Sequence, residues 1–322
     1  MNDKPVILVT AAGTVTASHI IKELNSIGRY YIIGADINPA NQIATSADVD
    51  EFHVFPPAIY DLEKYITFVL KFCKQKHVEY YYATIDEEVA NLSAHRAQFE
   101  EIGVRLCIAN DYLINICHYK DKFNQWVAQE IPEIAIKTYK TVEEIEDTNF
   151  PLFVKPIEGR ASIGCREMAN RDELLEYLKV NDANSVIIQQ CVSGEIITVD
   201  LVRNAKTGQQ MQMQRLELLR NGNGCGIAVE TIDDPKLHEI CEKLMVKLDL
   251  NGVVNAEFFK TDTGYKIIEV NPRFSAGTSF SCMAGCNTVL NALWIAQGKE
   301  CKFGEVRPGQ HFAKRYETYR MD

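Results

Sequence analysis

Residues 265–277, YKIIEVNPRFSAG, begin as a buried strand and end in a way that buried strands avoid. Glu269, Asn271 and Arg273 alternate with Ile268, Val270 and Pro272. Successive strand side chains point to opposite faces, so the acid, the amide and the cation share one face. Just upstream, VVNAEFF carries Asn255 and Glu257, and KTDTGY between the two segments reads as a hairpin turn. With that turn centred near Thr263, Glu257 falls opposite Glu269 and Asn255 opposite Asn271. Cross-strand Cβ atoms sit roughly 5 Å apart. Two carboxylates tolerate that spacing if a cation lies between them or one stays protonated.

Composition narrows what such a site can serve. The 322 residues suffice for two or three domains with a sizeable core, and 46% hydrophobic with 24% charged residues is ordinary for a globular chain. A net charge of −10 argues against a nucleic-acid surface, which needs clustered Lys and Arg. Ten cysteines without CxxC pairs, and no secretion signal in MNDKPVILVTAAG, read as free thiols in a cytoplasmic protein. Residues 274–298 are uncharged but too rich in Ser, Thr, Asn and Gly for a membrane span, so a buried interior helix is expected there.

Along the chain, PVILVTAAG reads as a buried strand entering a glycine turn, TASHIIKELNSIG as a helix capped by Gly28, and YYIIGADIN as a strand ending in Asp36. This order looks like a nucleotide-binding βαβ unit. AAGTVTAS, however, has one glycine where the dinucleotide fingerprint wants three, which favours a structural turn. Helix 61–77, strand EYYYATI, helix DEEVANLSAHRAQFEEIG and strand VRLCIA complete a parallel α/β domain over residues 1–110. The alternation then breaks down into α+β. DYLINICHYKDKFNQWVAQEI reads as helical, FPLFVKP as a strand ending in Lys155, and IEGRASIGC as a glycine loop. Strand SVIIQQCV and an antiparallel hairpin over 195–219 come next. DDPKLHEICEKLMVKLDLNG is then close to an ideal helix, with Asp234 as N-cap, Pro235 first and an Asn-Gly stop. The expected partition is 1–110, 111–188 and 189–322.

Lys122 and Lys155 are cations in or beside apolar segments, and Gly159, Ser162 and Gly164 crowd one short loop. Such a loop offers N–H groups and a hydroxyl to phosphate oxygens, although it is not a P-loop. Together with Glu257, Glu269 and Asn271 as oxygen ligands, these residues outline a magnesium-nucleotide site, with Arg273 neutralising charge on a transferred phosphoryl group.

Residues 111 to about 290 resemble the ATP-grasp superfamily, and in particular one module of the carbamoyl phosphate synthase large subunit. The resemblance rests on NAEFF followed by GYKIIEVNPRFSAGTSFSCMAGC. It implies a Rossmann-like domain followed by a two-lobed ATP-grasp fold. It also implies that Lys122 and Lys155 bind the nucleotide phosphates under a cover formed by Gly159, Ser162 and Gly164. IIQQCV becomes the hinge, with the backbone of Gln190 and Val192 on the adenine edge. Glu257, Glu269 and Asn271 hold Mg2+, with Mn2+ as an alternative. The family's ribose-binding acid falls at Ile196, whereas here the acid is Glu195.

The implied reaction activates a carboxylate as an acyl phosphate, releases ADP and phosphate, and joins the acid to an amine. The substrates are small carboxylates and amines such as amino acids, with no nucleic acid or membrane partner and room for a homodimer. Arg220 in RNGNGCG and Arg315 in QHFAKRYE are candidate carboxylate partners, with a solvated surface role an equal reading. Ser275, Thr278 and Ser279 lie close to the motif but could equally cap the following helix. A partner-dependent synthase-like module and a non-catalytic ATP-binding regulator are the alternatives.

Overall fold

A computed structural model describes residues 4–157 and 163–321. The first sheet is parallel. It comprises β1 (Val6–Val9), β2 (Tyr31–Asp36), β3 (Glu51–Val54), β4 (Val78–Tyr82) and β5 (Arg105–Leu106), in the order β3-β2-β1-β4-β5. Its helices are α1 (Val15–Ile27), α2 (Leu62–Lys76), α3 (Asp86–Ala94) and α4 (Arg96–Glu101). α1 starts where the Thr14 side chain accepts from the Ala17 amide and stops at Gly28, whose φ of 68° suits glycine. The single helix expected over 86–103 is two, because His95 leaves helical geometry and its Nδ1 bonds the Asn91 carbonyl.

The helical stretch after residue 110 is also divided, into α5 (Asp111–His118) and α6 (Lys120–Glu130). Tyr119 between them is extended, and the Lys120 amide leaves the helix ladder to donate to the Ile157 carbonyl at 3.2 Å. A small antiparallel sheet follows: β6 (Thr138–Tyr139), β7 (Leu152–Pro156), β8 (Arg166–Met168), α7 (Arg171–Val180) and β9 (Val186–Gln190), ordered β6-β9-β7-β8. Gly159 and Ser162 lie outside the described residues.

The third sheet is antiparallel and carries the motif. Its strands are β10 (Glu195–Arg203), β11 (Gln210–Arg220), β12 (Gly226–Ile232), β13 (Gly252–Thr261), β14 (Gly264–Asn271) and β15 (His311–Ala313). Their order is β14-β13-β10-β11-β12-β15. Helix α8 (Pro235–Lys247) packs on it through Leu237, Ile240, Cys241, Leu244, Met245 and Leu248, all buried. Asp234 caps α8, as the sequence suggests, but the stop is Asp249 at φ 46°, and Asn251-Gly252 instead opens β13. The uncharged segment 274–298 holds α9 (Thr278–Ala284) and α10 (Thr288–Ala296), not one helix. Gly285 separates them at φ 109°, where a Cβ would lie 2.9 Å from the Glu305 carbonyl oxygen.

Glu257 pairs with Glu269 and Asn255 with Asn271, as the hairpin reading predicts. The turn is tighter than expected: Thr261 pairs with Gly264 and Phe258 with Ile267. Ile268 is therefore the extra residue of a β-bulge, which restores the acid pairing by shifting the register once. Buried Tyr265 and Ile267 precede the bulge and buried Val270 follows it, while Ile268 is half-buried. One hydrophobic cluster joins the first sheet, α5, α6, α8 and the third sheet. The small sheet has its own core around Leu152, Val154 and Leu174.

Candidate active site

One face of the third sheet floors a cavity of ≈ 580 Å³. Directly opposed strand residues share a face, so two rows cross it. One row runs Asp200, Asn255, Asn271, and the other runs Arg215, Thr198, Glu257, Glu269. Arg273 follows at the strand end, and the small sheet and the start of α3 complete the walls.

The two carboxylates meet in the arrangement the motif implies. Glu257 Oε2 accepts from Arg220 Nη2 at 2.8 Å. Burial, together with the facing Glu269, still pushes the Glu257 carboxyl up to about 7. Asn271 Nδ2 donates to Asn255 Oδ1 at 2.9 Å and to Glu269 Oε1 at 3.2 Å, turning the amide oxygen toward Arg273 Nη2 at 3.3 Å. Arg273 Nε donates to Asp86 Oδ1 at 2.8 Å. Burial works against its charge, but Asp86, Glu269 and Glu257 outweigh it and raise its pKa. Two carboxylates and an amide oxygen are the hard donors that Mg2+ prefers. Two facing carboxylates, with Glu257 raised chiefly by burial and then by the charge of Glu269, fit that ion.

Lys155 is buried, and its Nζ donates to the carbonyl of the bulged Ile268 at 3.4 Å. Burial lowers its pKa to about 8, opposed by Glu269 and assisted by Lys120. Lys120 lines the cavity. Lys122, the lysine singled out from sequence, does not: it is exposed, bonds Asn115 Oδ1 at 3.2 Å and covers the Tyr119 ring at 4.3 Å. The cause is the break at Tyr119, which turns the first residue of α6, rather than its third, toward the site. Gly164, at φ 77°, is the member of the loop trio that is described, and its neighbours Ile163 and Cys165 line the cavity.

At the hinge, Val192 and Gln190 border the cavity, but the Gln190 amide is already used by the Lys137 carbonyl at 2.9 Å. Ile196 faces the cavity, whereas Glu195, one residue earlier on the strand, is exposed opposite Lys260. The strand's twofold alternation thus keeps Glu195 off the site face.

On the substrate side the residues divide. Arg220 reaches Glu257, and Ser275 is buried with its Oγ donating to Asp200 Oδ2 at 3.1 Å. Thr278 is buried with an unpartnered Oγ1, and Ser279 is half-buried away from the cavity lining. None of the three caps α9, whose N-cap is Gly277 without a side-chain bond. Arg315 is exposed and pairs with Glu317 outside the cavity.

Arg215 was not anticipated. It is fully buried, bonded to Asp200 Oδ2 at 2.9 Å, Glu217 Oε1 at 3.2 Å and Ser275 Oγ at 3.3 Å. A Cβ on Gly277 would stand 2.6 Å from its guanidinium, so that glycine permits the approach. The available signal was the alternation in QMQMQRLELL, which sets Arg215 and Glu217 on one face of a strand paired with the one bearing Asp200. Asp200 Oδ1 and Glu217 Oε2 are buried without a hydrogen-bond partner.

The parallel domain contributes Asp86 and Glu87 to the lining of this cavity. At the switch between β1 and β4, Asp36 accepts from the Gly13 amide at 2.9 Å, Thr16 Oγ1 donates to the Ser275 carbonyl at 3.4 Å, and Asp86 holds Arg273. The Gly13 amide of the single-glycine turn is thus held by Asp36 within the domain.

Among the described residues no helix is long and apolar enough to cross a membrane. A family model described as ATP-grasp domain matches residues 117–277, half of the chain, and one described as PylC-like, N-terminal domain matches residues 7–107. The 3-methyl-D-ornithine–L-lysine ligase of Methanosarcina mazei is 26% identical over 40% of this chain and 33% of its own length. The carbamoyl phosphate synthase large chain of Clostridium perfringens is 25% identical over 72% of this chain and 21% of its own. The matches thus span about a third and a fifth of these curated relatives. The biotin carboxylase domain of Hydrogenobacter thermophilus 2-oxoglutarate carboxylase, solved with MgADP and bicarbonate, superposes with a TM-score of 0.76. It shares 16% identity over 95% of this chain and 73% of that one. The L-amino acid ligase of Bacillus licheniformis superposes with a TM-score of 0.70 at 13% identity, over 97% and 79%. These neighbours share the fold, and the family model, matched across the lysine, hinge and acid-pair segments described above, assigns the chain to the ATP-grasp family.

Proposed function

We propose that this chain is an ATP-dependent carboxylate-amine ligase that activates an amino acid or a small carboxylated metabolite as an acyl phosphate and releases ADP and phosphate. The observation that carries the reading is the convergence of Glu257, Glu269, Asn271, Arg273, Lys155 and Lys120 on one cavity. Glu257, Glu269 and Asn271 would hold Mg2+, or Mn2+ in its place, which when bound neutralises charge on phosphate oxygens. Lys155 and Lys120 then bind the phosphate chain, and Arg273, oriented by Asp86, faces charge that grows on the terminal phosphoryl group. The substrate carboxylate oxygen attacks the terminal phosphorus and ADP leaves. The amine then attacks the acyl carbon and phosphate leaves. No protein nucleophile is needed.

The inner wall supports a substrate of mixed charge. Arg215 and Arg220 are set among Asp200, Glu217 and Glu257, the complement of a molecule carrying both carboxylate and ammonium groups. The test is ADP release across a panel of amino acids and small acids, with hydroxylamine replacing the amine. Carboxylate-dependent ADP and a trapped hydroxamate are expected. AMP and pyrophosphate as products would overturn the reading. Nucleotide binding without carboxylate-dependent turnover would replace it with a partner-dependent module or a non-catalytic ATP-binding regulator.

A further inference from the structure

Away from the cavity, α1 and α9 bring three unlike ligand groups together. His19 and Glu23, one helical turn apart on α1, face Cys282 on α9, and their ligand atoms all lie within 4.8 Å of one another. We propose that His19, Glu23 and Cys282 form a binding site for a borderline-soft divalent cation of the zinc class, which ties the parallel domain to the helices behind the substrate wall.

The strongest observation is His19 Nε2, which is buried and has no hydrogen-bond partner. An unsatisfied ring nitrogen in such a position is costly, and a metal ion satisfies it. Glu23 Oε1 is 3.4 Å from that nitrogen. Zn–N and Zn–O bonds of about 2.0–2.2 Å at tetrahedral angles place two ligand atoms roughly 3.3–3.5 Å apart, so this pair is already spaced for one ion. The other carboxylate oxygen is occupied: Asn287 Nδ2 donates to Glu23 Oε2 at 2.7 Å and fixes the group's orientation.

Charge and proton state agree with this assignment. Burial lowers the His19 pKa against the pull of Glu23, with Lys22 and Lys314 assisting. Cys282 is a thiol in the metal-free protein, its pKa raised to about 11 by burial, with Sγ 3.6 Å from both Asn287 Oδ1 and Thr288 Oγ1. A divalent ion displaces that proton to solvent. Neutral imidazole, carboxylate, thiolate and M2+ then sum to zero charge, which suits a half-buried position. A water completes four-coordination. Thiolate and imidazole donors favour zinc over magnesium, so the site is chemically distinct from the oxygen ligands of the cavity.

The experiment uses the full chain stripped with a chelator and titrated with Co2+ as a spectroscopic stand-in. One equivalent should produce tetrahedral d–d bands and a thiolate-to-cobalt absorption, both abolished by Zn2+. Cys282→Ser should remove the thiolate band. Glu23→Gln, at a partly exposed position, should weaken Zn2+ by more than about tenfold, a loss within the range seen when only an outer partner of a ligand is removed. Glu269→Gln should leave Zn2+ affinity unchanged. Zn2+ should raise the melting temperature of the unmodified protein but not of Cys282→Ser. The proposal is overturned by a stoichiometric titration without a thiolate band, by a band that survives Cys282→Ser, or by unchanged affinity in Glu23→Gln. If Cys282→Ser does not fold, Glu23→Gln alone decides.

Discussion

Arg273 Nε donates to Asp86 Oδ1 at 2.8 Å, although 187 residues separate them. Asp86 opens α3 in the parallel domain, and Arg273 lies two residues beyond the acid-bearing strand of the third sheet. The contact makes the first domain part of the site, because it points the arginine toward Asn271 and the acid pair.

Asp86→Asn should therefore lower kcat more than it changes KM for ATP. The arginine keeps its charge but loses the partner that orients it, and its interaction matters most as charge develops. The pair is about a fifth exposed, so a stability loss of about 1–2 kcal/mol is expected, below the range for fully buried pairs. Steady-state kinetics with thermal melting checks this. Equal falls in kcat and ATP affinity would indicate a general collapse of the cavity.

The two lysines of the KDK cluster should behave differently. Lys120→Ala should weaken nucleotide binding by about tenfold or more, the loss of one charge-assisted contact to phosphate. Lys122→Ala should stay within about threefold, since that side chain is exposed beside Asn115 and Tyr119. Titration with MgADP distinguishes them, and a larger loss in Lys122→Ala would return the phosphate role to that residue.

Acid chemistry should appear in the stability of the metal-free protein. Glu257 has its folded pKa raised from 4.5 to about 7, so between those values the folded state binds more protons than the unfolded chain. Stability should fall as pH rises through that window, and Glu257→Gln should flatten the slope. Urea melts in chelator from pH 4.5 to 8 measure it. An unchanged slope in the variant would mean that the pair shares its proton elsewhere.

Glu269→Gln should reduce turnover by orders of magnitude while leaving the chelated protein as stable or more so, since it removes one of two facing charges. Unfolding with retained activity per folded molecule would make the acids structural.

Lys155 should set the alkaline limit of activity. With its pKa lowered to about 8, Lys155 loses its charge in the free protein as pH rises past that value, so kcat/KM for ATP should decline there if it binds phosphate as proposed. Lys155→Arg should move the decline upward, because a guanidinium keeps its proton. A limb that stays at the same pH in the variant would assign it to another group.

The local code of the chain was legible in the sequence. The Asp234 cap, the Gly28 stop, the apolar stripe of α8 and the facing of Glu257 with Glu269 all depend on residues a few positions apart, where helical and strand periodicity act directly. What lay beyond that range was decided by tertiary structure. The bulge at Ile268 turned its carbonyl to Lys155, and the Lys120 amide left its helix for Ile157, so Lys120 faces the cavity and Lys122 faces solvent. Glu195 fell on the outer face of its strand. Arg215 came to line the cavity, enclosed by Asp200, Glu217 and Ser275 from three segments, and Arg273 found Asp86 in the parallel domain. A charged side chain is satisfied by whichever partner the packed chain brings within about 3 Å, and spacing along the sequence does not encode that distance.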